Sequence, residues 1–492
     1  MRRSFRSSAL VCALAASASL VACSDGVSNQ VPAAAVDASA PVDSALPPPV
    51  PGSLPCSTVL GNPTSSSVEV VVLCTQDLEV RVEVGVDGSS FPKVSAPVQV
   101  TAGTAAHVPI GGLAAHTAHR YRVRFRTASG APEAAGEVHG FTTQRAPGEG
   151  FTFTIQSDSH RDANSDFELY RVALGNILAD RGDFHVDLGD TFMTEKFATT
   201  EAQVIERYRE EHAYFGLVGG DVPLVLVNGN HEGEQGWLLN GSAQNLAVWA
   251  TKARLAFYAN PVPDGFYTGD DASYPFVGRR GGYFAWTWGD ALFIALDPYW
   301  FTTTKPGARG SDGWAWTLGE KQYRWLEQTL QNRTAKYVFV FSHHMIGGLK
   351  DGRGGTEAAD LWEWGGKNAT TGVDEFATKR PGWSKPIGQL LADANVSAWF
   401  HRHDHLYVKQ DRGRTVYQEV PQPSHRGENG QQTATQWGYT DGKVLSSSGH
   451  MRVTVGASGA TVEYVKAFLP ADATAAHPNR EIADRYVLPQ RP

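Results

Sequence analysis

The chain has 492 residues, 41% of them hydrophobic, which is enough for a large core and more than one domain. A formal net charge of -8 excludes a broad nucleic-acid-binding surface, although local basic pockets for anionic groups remain open to it. Beyond the amino-terminal segment no apolar run is long enough to cross a membrane as a helix.

Residues 1–23 begin with Arg2, Arg3 and Arg6, continue through the apolar and small residues 9–21, and end on Leu20-Val21-Ala22-Cys23. This resembles a bacterial lipoprotein signal with its lipobox, which implies cleavage before Cys23 and lipidation of its thiol. An ordinary secretory signal with an incidental Cys23 is the alternative. Lipid on Cys23 would anchor the chain without a spanning helix. Ser24 in the next position implies the outer membrane, at its periplasmic face or the cell surface. Of four cysteines, Cys12 falls in the signal and Cys23 on the anchor. Cys56 and Cys74 remain, and in an exported chain they can pair, a point that spacing alone leaves open.

Residues 24–55 are dominated by Ala, Pro, Ser, Val and Asp, a composition that offers no packed core and reads as an extended tether. Residues 56–145 read as a small all-β sandwich. Short β-prone runs at 68–73, 78–85, 96–101, 119–127 and 136–143 are separated by turn residues. In one run Tyr121, Val123 and Phe125 alternate with Arg120, Arg122, Arg124 and Arg126, giving an apolar and a basic face. Leu113, Thr117, Arg120-Tyr121-Arg122-Val123 and Gly140-Phe141-Thr142-Thr143 resemble a fibronectin type III module. The arginine face is either a solvated strand surface or a polyanion site.

After the link at 144–150 the pattern changes to strands alternating with helices, and residues 146–492 form one α/β body. Helical periodicity marks 167–179, 201–216, 319–331 and 386–392, while 282–288 and 291–296 read as a hairpin across Gly289-Asp290. The Gly-, Asn- and aromatic-rich stretch 233–282 and the Gly- and Trp-rich stretch 346–383 read as irregular walls beside a site; in the first, Trp237, Phe266 and Tyr267 each either pack in isolation, the favoured reading, or touch a substrate. Further strands follow at 414–420, 451–455 and 461–468.

Five apolar runs end on metal-binding residue types: 151–160 on Asp158 and His160, 184–190 on Asp190, 222–232 on Asn230, His231 and Glu232, 337–344 on His343 and His344, and 396–405 on His401, His403 and His405. A layered α/β fold brings such strand ends together. Two metal ions about 3.5 to 4 Å apart need a shared carboxylate, neutral imidazoles and few further charges. Asp190 is the shared ligand in this reading, and Asn230 adds a neutral oxygen. In His401-Arg402-His403-Asp404-His405 either adjacent pair can ligate, with Leu406-Tyr407 favouring His403 and His405; His344 is the alternative to His343.

Asp158-Ser159-His160, Gly189-Asp190, Gly229-Asn230-His231-Glu232, Ser342-His343-His344 and His403-Asp404-His405 resemble, in order, the five blocks of the calcineurin-like metallophosphoesterase superfamily. The resemblance implies a four-layer sandwich, two mixed sheets flanked by helices, behind the small all-β domain. It implies that Asp158, His160 and His405 hold one ion, Asn230, His343 and His403 another, and Asp190 both. The ions would be divalent or trivalent Fe, Mn or Zn, and a metal-held hydroxide would cleave a small phosphate ester. His231 then sits by the phosphate or the leaving oxygen as a proton donor, with Glu232 as a candidate for orienting it.

The β-module ahead of this body resembles plant-type purple acid phosphatases, yet Met193 stands where their colour-giving tyrosine ligand stands, and His160 where they carry glycine. Arg402 replaces the usual glycine before the terminal pair. It either turns outward or clamps phosphate. Ser157 is a milder replacement of the same kind. The leading expectation is therefore an exported, membrane-anchored phosphomonoesterase or phosphodiesterase without the purple chromophore. A metal-stabilised envelope-binding protein without esterase activity is the alternative.

Overall fold

The computed structural model describes residues 55–127, 130–307, 312–349, 352–427 and 430–491. The expected signal, the expected lipidation of Cys23, and residues 24–54 of the expected tether lie outside the described residues. Among the described residues, no helix is long and apolar enough to cross a membrane.

Two stacked sheets build the α/β body. The first runs, edge to edge, through Ile482–Leu488, Gly459–Lys466, Gly449–Gly456, Phe151–Gln156, Phe184–Asp187, Leu224–Leu226, Cys56–Gly61, Val68–Cys74 and Ala105–Ile110. The second runs through Thr268–Gly269, Phe284–Trp288, Ala291–Ala295, Tyr337–Phe341, Ala398–His401, Thr415–Glu419, Tyr407–Arg412 and Lys443–Leu445. Phe151–Gln156, Phe184–Asp187 and Leu224–Leu226 are parallel, as are Ala291–Ala295, Tyr337–Phe341, Ala398–His401 and Thr415–Glu419. Their carboxyl ends therefore point the same way within each sheet.

These strands are apolar along almost their whole length because both faces are covered. Between the sheets lie Phe153, Phe184, Phe293, Phe339, Phe341 and Phe400, and the Phe153 and Phe293 rings meet edge to face at 5.1 Å. Burying each such ring contributes roughly 1.5–3 kcal/mol. On the outer face of the first sheet, helix Glu201–Gly219 packs Val204, Tyr208 and Phe215 against Leu224 and Leu226. Helix Phe167–Asp180 packs Tyr170, Leu174 and Ile177 beside it. On the second sheet, Gly319–Gln331 lays Tyr323, Leu326 and Leu330 over Ile294 and Val340, and Ile387–Asp393 adds Leu390 and Leu391. The result is the expected sandwich of two mixed sheets flanked by helices.

The preceding region is all β. Leu78–Gly85 and Ala118–Arg126 lead a further, six-stranded sheet that buries Val80, Val82, Tyr121 and Val123 against Leu60, Val70 and Val72. Its other layer is the far end of the first sheet, joined where Gly61 pairs in parallel with Leu224. Cys56 and Cys74, opposite one another in that layer, form a disulfide. Three of the four arginines on that face are paired with glutamates: Arg122 donates to Glu83 at 2.8 Å, Arg124 pairs with Glu133, and Arg126 with Glu79, while Arg120 is exposed. The stretch 233–282 is less irregular than its composition implies. It contains the helix Leu246–Phe257, capped by Asn245, whose side chain accepts from Val248 N.

Candidate metal centre

The strand ends deliver the candidate ligands through an unusual backbone. Asp158, His160, Asp190, His403 and His405 all have positive φ, between 52° and 99°. This conformation is costly for non-glycine residues, and it clusters where the surroundings over-determine it. It breaks strand alternation, so that residues two apart, Asp158 with His160 and His403 with His405, turn to the same side.

Two groups of donor atoms result, Asp158 with His160 and His405, and Asp190 with His343 and His403, each within 4.8 Å. Asp158 Oδ1 lies 3.2 Å from Nε2 of both His160 and His405. Asp190 Oδ2 lies 3.1 Å from His343 Nε2 and 3.7 Å from His160 Nε2, between the two groups. Asp158 Oδ1, His160 Nε2, Asn230 Oδ1, His343 Nε2 and His403 Nδ1 are buried without a protein hydrogen-bond partner. Buried polar atoms are ordinarily paired. Carboxylate, amide and imidazole atoms aimed inward fit two di- or trivalent metal ions.

The electrostatics point the same way. Burial works against charge on every group here. Arg402 and then His343 nevertheless hold the Asp158 carboxyl well below its usual range, and Asp158 and Asp190 raise His160 to about 9 and His343 to about 10. The two carboxylates therefore favour positive charge at the points that the His160 and His343 ring nitrogens reach. His343 Nδ1 donates to Leu188 O at 3.0 Å, which fixes the tautomer and turns Nε2 inward.

The remaining predicted residues fall around this core. His231 places its ring edge-on to His160 at 5.8 Å, with Nε2 4.0 Å from Asp190 Oδ2. The acid beside its Nδ1 is Glu195, at 2.9 Å, and not Glu232. The hydrogen bond to His231 lowers the Glu195 pKa. Glu232 is buried and receives the backbone N–H groups of Gly229, Asp190, Thr191 and Phe192, clamping the Asp190 loop to the Asn230 loop. His401 stacks on Trp399 at 3.9 Å and pairs with Glu419, away from both groups, so His403 and His405 are the pair that converges. His344 is also buried outside the groups, its Nδ1 donating to Met345 O at 2.6 Å between Tyr299 and Trp316. Of the proposed substrate-facing aromatics, Tyr267 is buried with its hydroxyl on Pro63 O, and Trp237 packs on Trp316.

Residues 151–407, more than half of the chain, match the calcineurin-like phosphoesterase family. The chain belongs to that family. Solved structures agree on the fold. PhoD superposes with a TM-score of 0.60 at 16% identity over 88% of this chain and 90% of that one. Purple acid phosphatase PPD1 from yellow lupin (Lupinus luteus) seeds gives 0.55 at 14% identity over 88% and 74%. No curated protein matches by sequence.

This calcineurin-like phosphoesterase departs from expectation most clearly at Arg402. The side chain does not turn outward; it is buried, with Nε on Asp158 Oδ2 at 2.9 Å and Nη2 without a hydrogen-bond partner among the described residues. A bulky cation replacing glycine beside the ligands has to find buried acceptors, and the Asp158 carboxylate together with the Leu406 and Val420 carbonyls supplies them. Met193, in the place of a tyrosine ligand, is buried with positive φ and carries no donor of that kind.

Proposed function

We propose that this chain is an exported phosphoesterase that hydrolyses small phosphate mono- or diesters at a two-metal centre. The carrying observation is the set of five inward-facing donor atoms without protein partners, grouped around the Asp190 carboxylate. Two ions of the Fe, Mn or Zn type, once bound, would supply Lewis acidity toward water and phosphate. Asp158, His160 and His405 hold one, Asn230, His343 and His403 the other, and Asp190 both.

The chain's own residues handle the proton and the orientation. His231, oriented by Glu195 through Nδ1, presents Nε2 toward the centre and protonates the leaving oxygen. The His405 side chain, 39% exposed, marks the side open to solvent and substrate. Lipidation at Cys23, a tether at 24–55, a fibronectin type III-like module at 56–145 and the hydrolase at 146–492 complete the reading. The Cys56–Cys74 disulfide supports an oxidising compartment outside the cytosol. The pairing of Arg122, Arg124 and Arg126 with glutamates supports the hydrolase reading over the polymer-binding alternative.

The test is metal analysis of the purified protein with hydrolysis of p-nitrophenyl phosphate and its bis ester on the same sample. Two bound ions and metal-dependent release of nitrophenol are expected, with Asp190→Asn abolishing both turnover and the second ion while the circular dichroism spectrum is kept. A protein holding two ions and inert toward both esters would sink the hydrolase reading.

A further inference from the structure

Arg402 stands directly before the terminal ligand pair, and its side chain is fully buried. Its Nε donates to Asp158 Oδ2 at 2.9 Å, and Ser157 Oγ donates to the same oxygen at 2.7 Å. Those two donors use both lone pairs of Oδ2. Oδ1 alone remains to meet His160 and His405. The guanidinium cannot swing away, because Nη1 is held by the Leu406 and Val420 carbonyls and the Arg402 backbone N–H donates to His343 O at 2.7 Å. The nearest other carboxylate, Glu419, lies 4.0 Å from Nη1 and is already engaged by His401 Nδ1 at 2.6 Å and Asp404 N at 2.9 Å.

We propose that Arg402 is a positioning residue that restricts Asp158 to one-oxygen ligation and biases the first metal position toward a divalent over a trivalent ion. The inference rests on the two-metal reading above. A guanidinium keeps its charge at any physiological pH. Hydrogen-bonded to the far oxygen of a ligand carboxylate, it draws electron density from that ligand and weakens the ligand's donation. It also repels the ion directly, more strongly the higher the ion's charge. Trivalent ions depend most on strong anionic oxygen donors. Here one such donor is shared with a cation, and Met193 adds none where a phenolate would stand.

The experiment loads the full-length protein anaerobically with Fe(II) alone. It then measures metal content and the potential of the one-electron Fe(III)/Fe(II) couple in the wild type, Arg402→Met, Arg402→Gln and Arg402→Lys. Two neutral replacements keep the test open if one of them fails to fold. Two iron atoms per chain are expected in the wild type. The neutral variants should favour Fe(III) at least tenfold more, a potential lower by 59 mV or more, and Arg402→Lys should stay near the wild type. Two iron atoms with an unchanged potential in a folded neutral variant would overturn the proposal and leave the hydrolase reading intact, as would a lysine variant shifted as far as the neutral ones. Fewer than two ions in the wild type would instead defeat the two-metal reading itself.

Discussion

His231 and Glu195 behave in this geometry as a unit, because a carboxylate on Nδ1 orients the ring so that Nε2 faces the centre. His231→Ala should lower kcat by roughly a hundredfold or more with little change in KM, since general acids contribute about 10²–10⁴. Glu195→Gln should cost about tenfold, the scale of an orienting partner. Steady-state kinetics of the double variant should match His231→Ala alone; losses that multiply would mean Glu195 acts independently of the ring. The five motif blocks were legible because ligand types recur at the ends of apolar runs. Glu195 was not, since in the sequence it is one more acidic residue opening a short helix, Thr194–Phe197. The role of Glu232 was hidden for a related reason. Its neighbour in the chain is His231, but its carboxylate turns back to four backbone donors on loops that meet only after folding.

Those two loops cross at glycines. A Cβ at 189 would fall 2.2 Å from Gly229 N, and one at 229 would fall 2.4 Å from both Asp190 N and Asp190 Oδ1. The GD and GN pairs are therefore a packing requirement as much as a ligand signature. Gly229→Ala should displace Asp190, and isothermal titration should show at least one ion lost or bound more than tenfold more weakly. The inter-sheet core, remote from the crossing, should keep far-ultraviolet circular dichroism unchanged; full metal affinity would show that the crossing tolerates a methyl group. Helices with clear periodicity were read to within a few residues, as at Gly319–Gln331. The helix Leu246–Phe257 was masked by glycine- and proline-rich flanks, and the strand Ala105–Ile110 by Pro109 and paired alanines. That strand ends the first sheet, where a missing backbone donor is tolerated.

The boundary near residue 145, clear in composition, is crossed by the first sheet. Tyr121 donates to Gly220 O at 2.6 Å, His139 and Gly140 N both meet Asp221, and Ser57 Oγ bonds His212 Nδ1 at 2.9 Å, all beside the Gly61–Leu224 pairing. Composition cannot reveal this, because a strand that completes a neighbour's sheet looks like any other strand. The joint also carries a pH dependence. Burial, then the positive His107, holds His212 down to about 3; burial, then His450, does the same for His185, whose Nδ1 bonds Thr154 Oγ1. Both folded values lie below the ordinary histidine value of 6.5, so as pH falls the unfolded chain takes up these protons first. Stability from this source is complete above about pH 6.5 and declines toward pH 3, by up to about 1.4 kcal/mol per histidine for each pH unit. Calorimetry should show one unfolding transition for residues 56–145 and the catalytic body together, its midpoint dropping below pH 6.5. His212→Gln, which can still bond Ser57, should flatten the drop by about half of the two-histidine slope. Two separate transitions, or an acid dependence that the glutamine leaves untouched, would mean that the shared sheet does not couple the regions and that the acid sensitivity arises elsewhere.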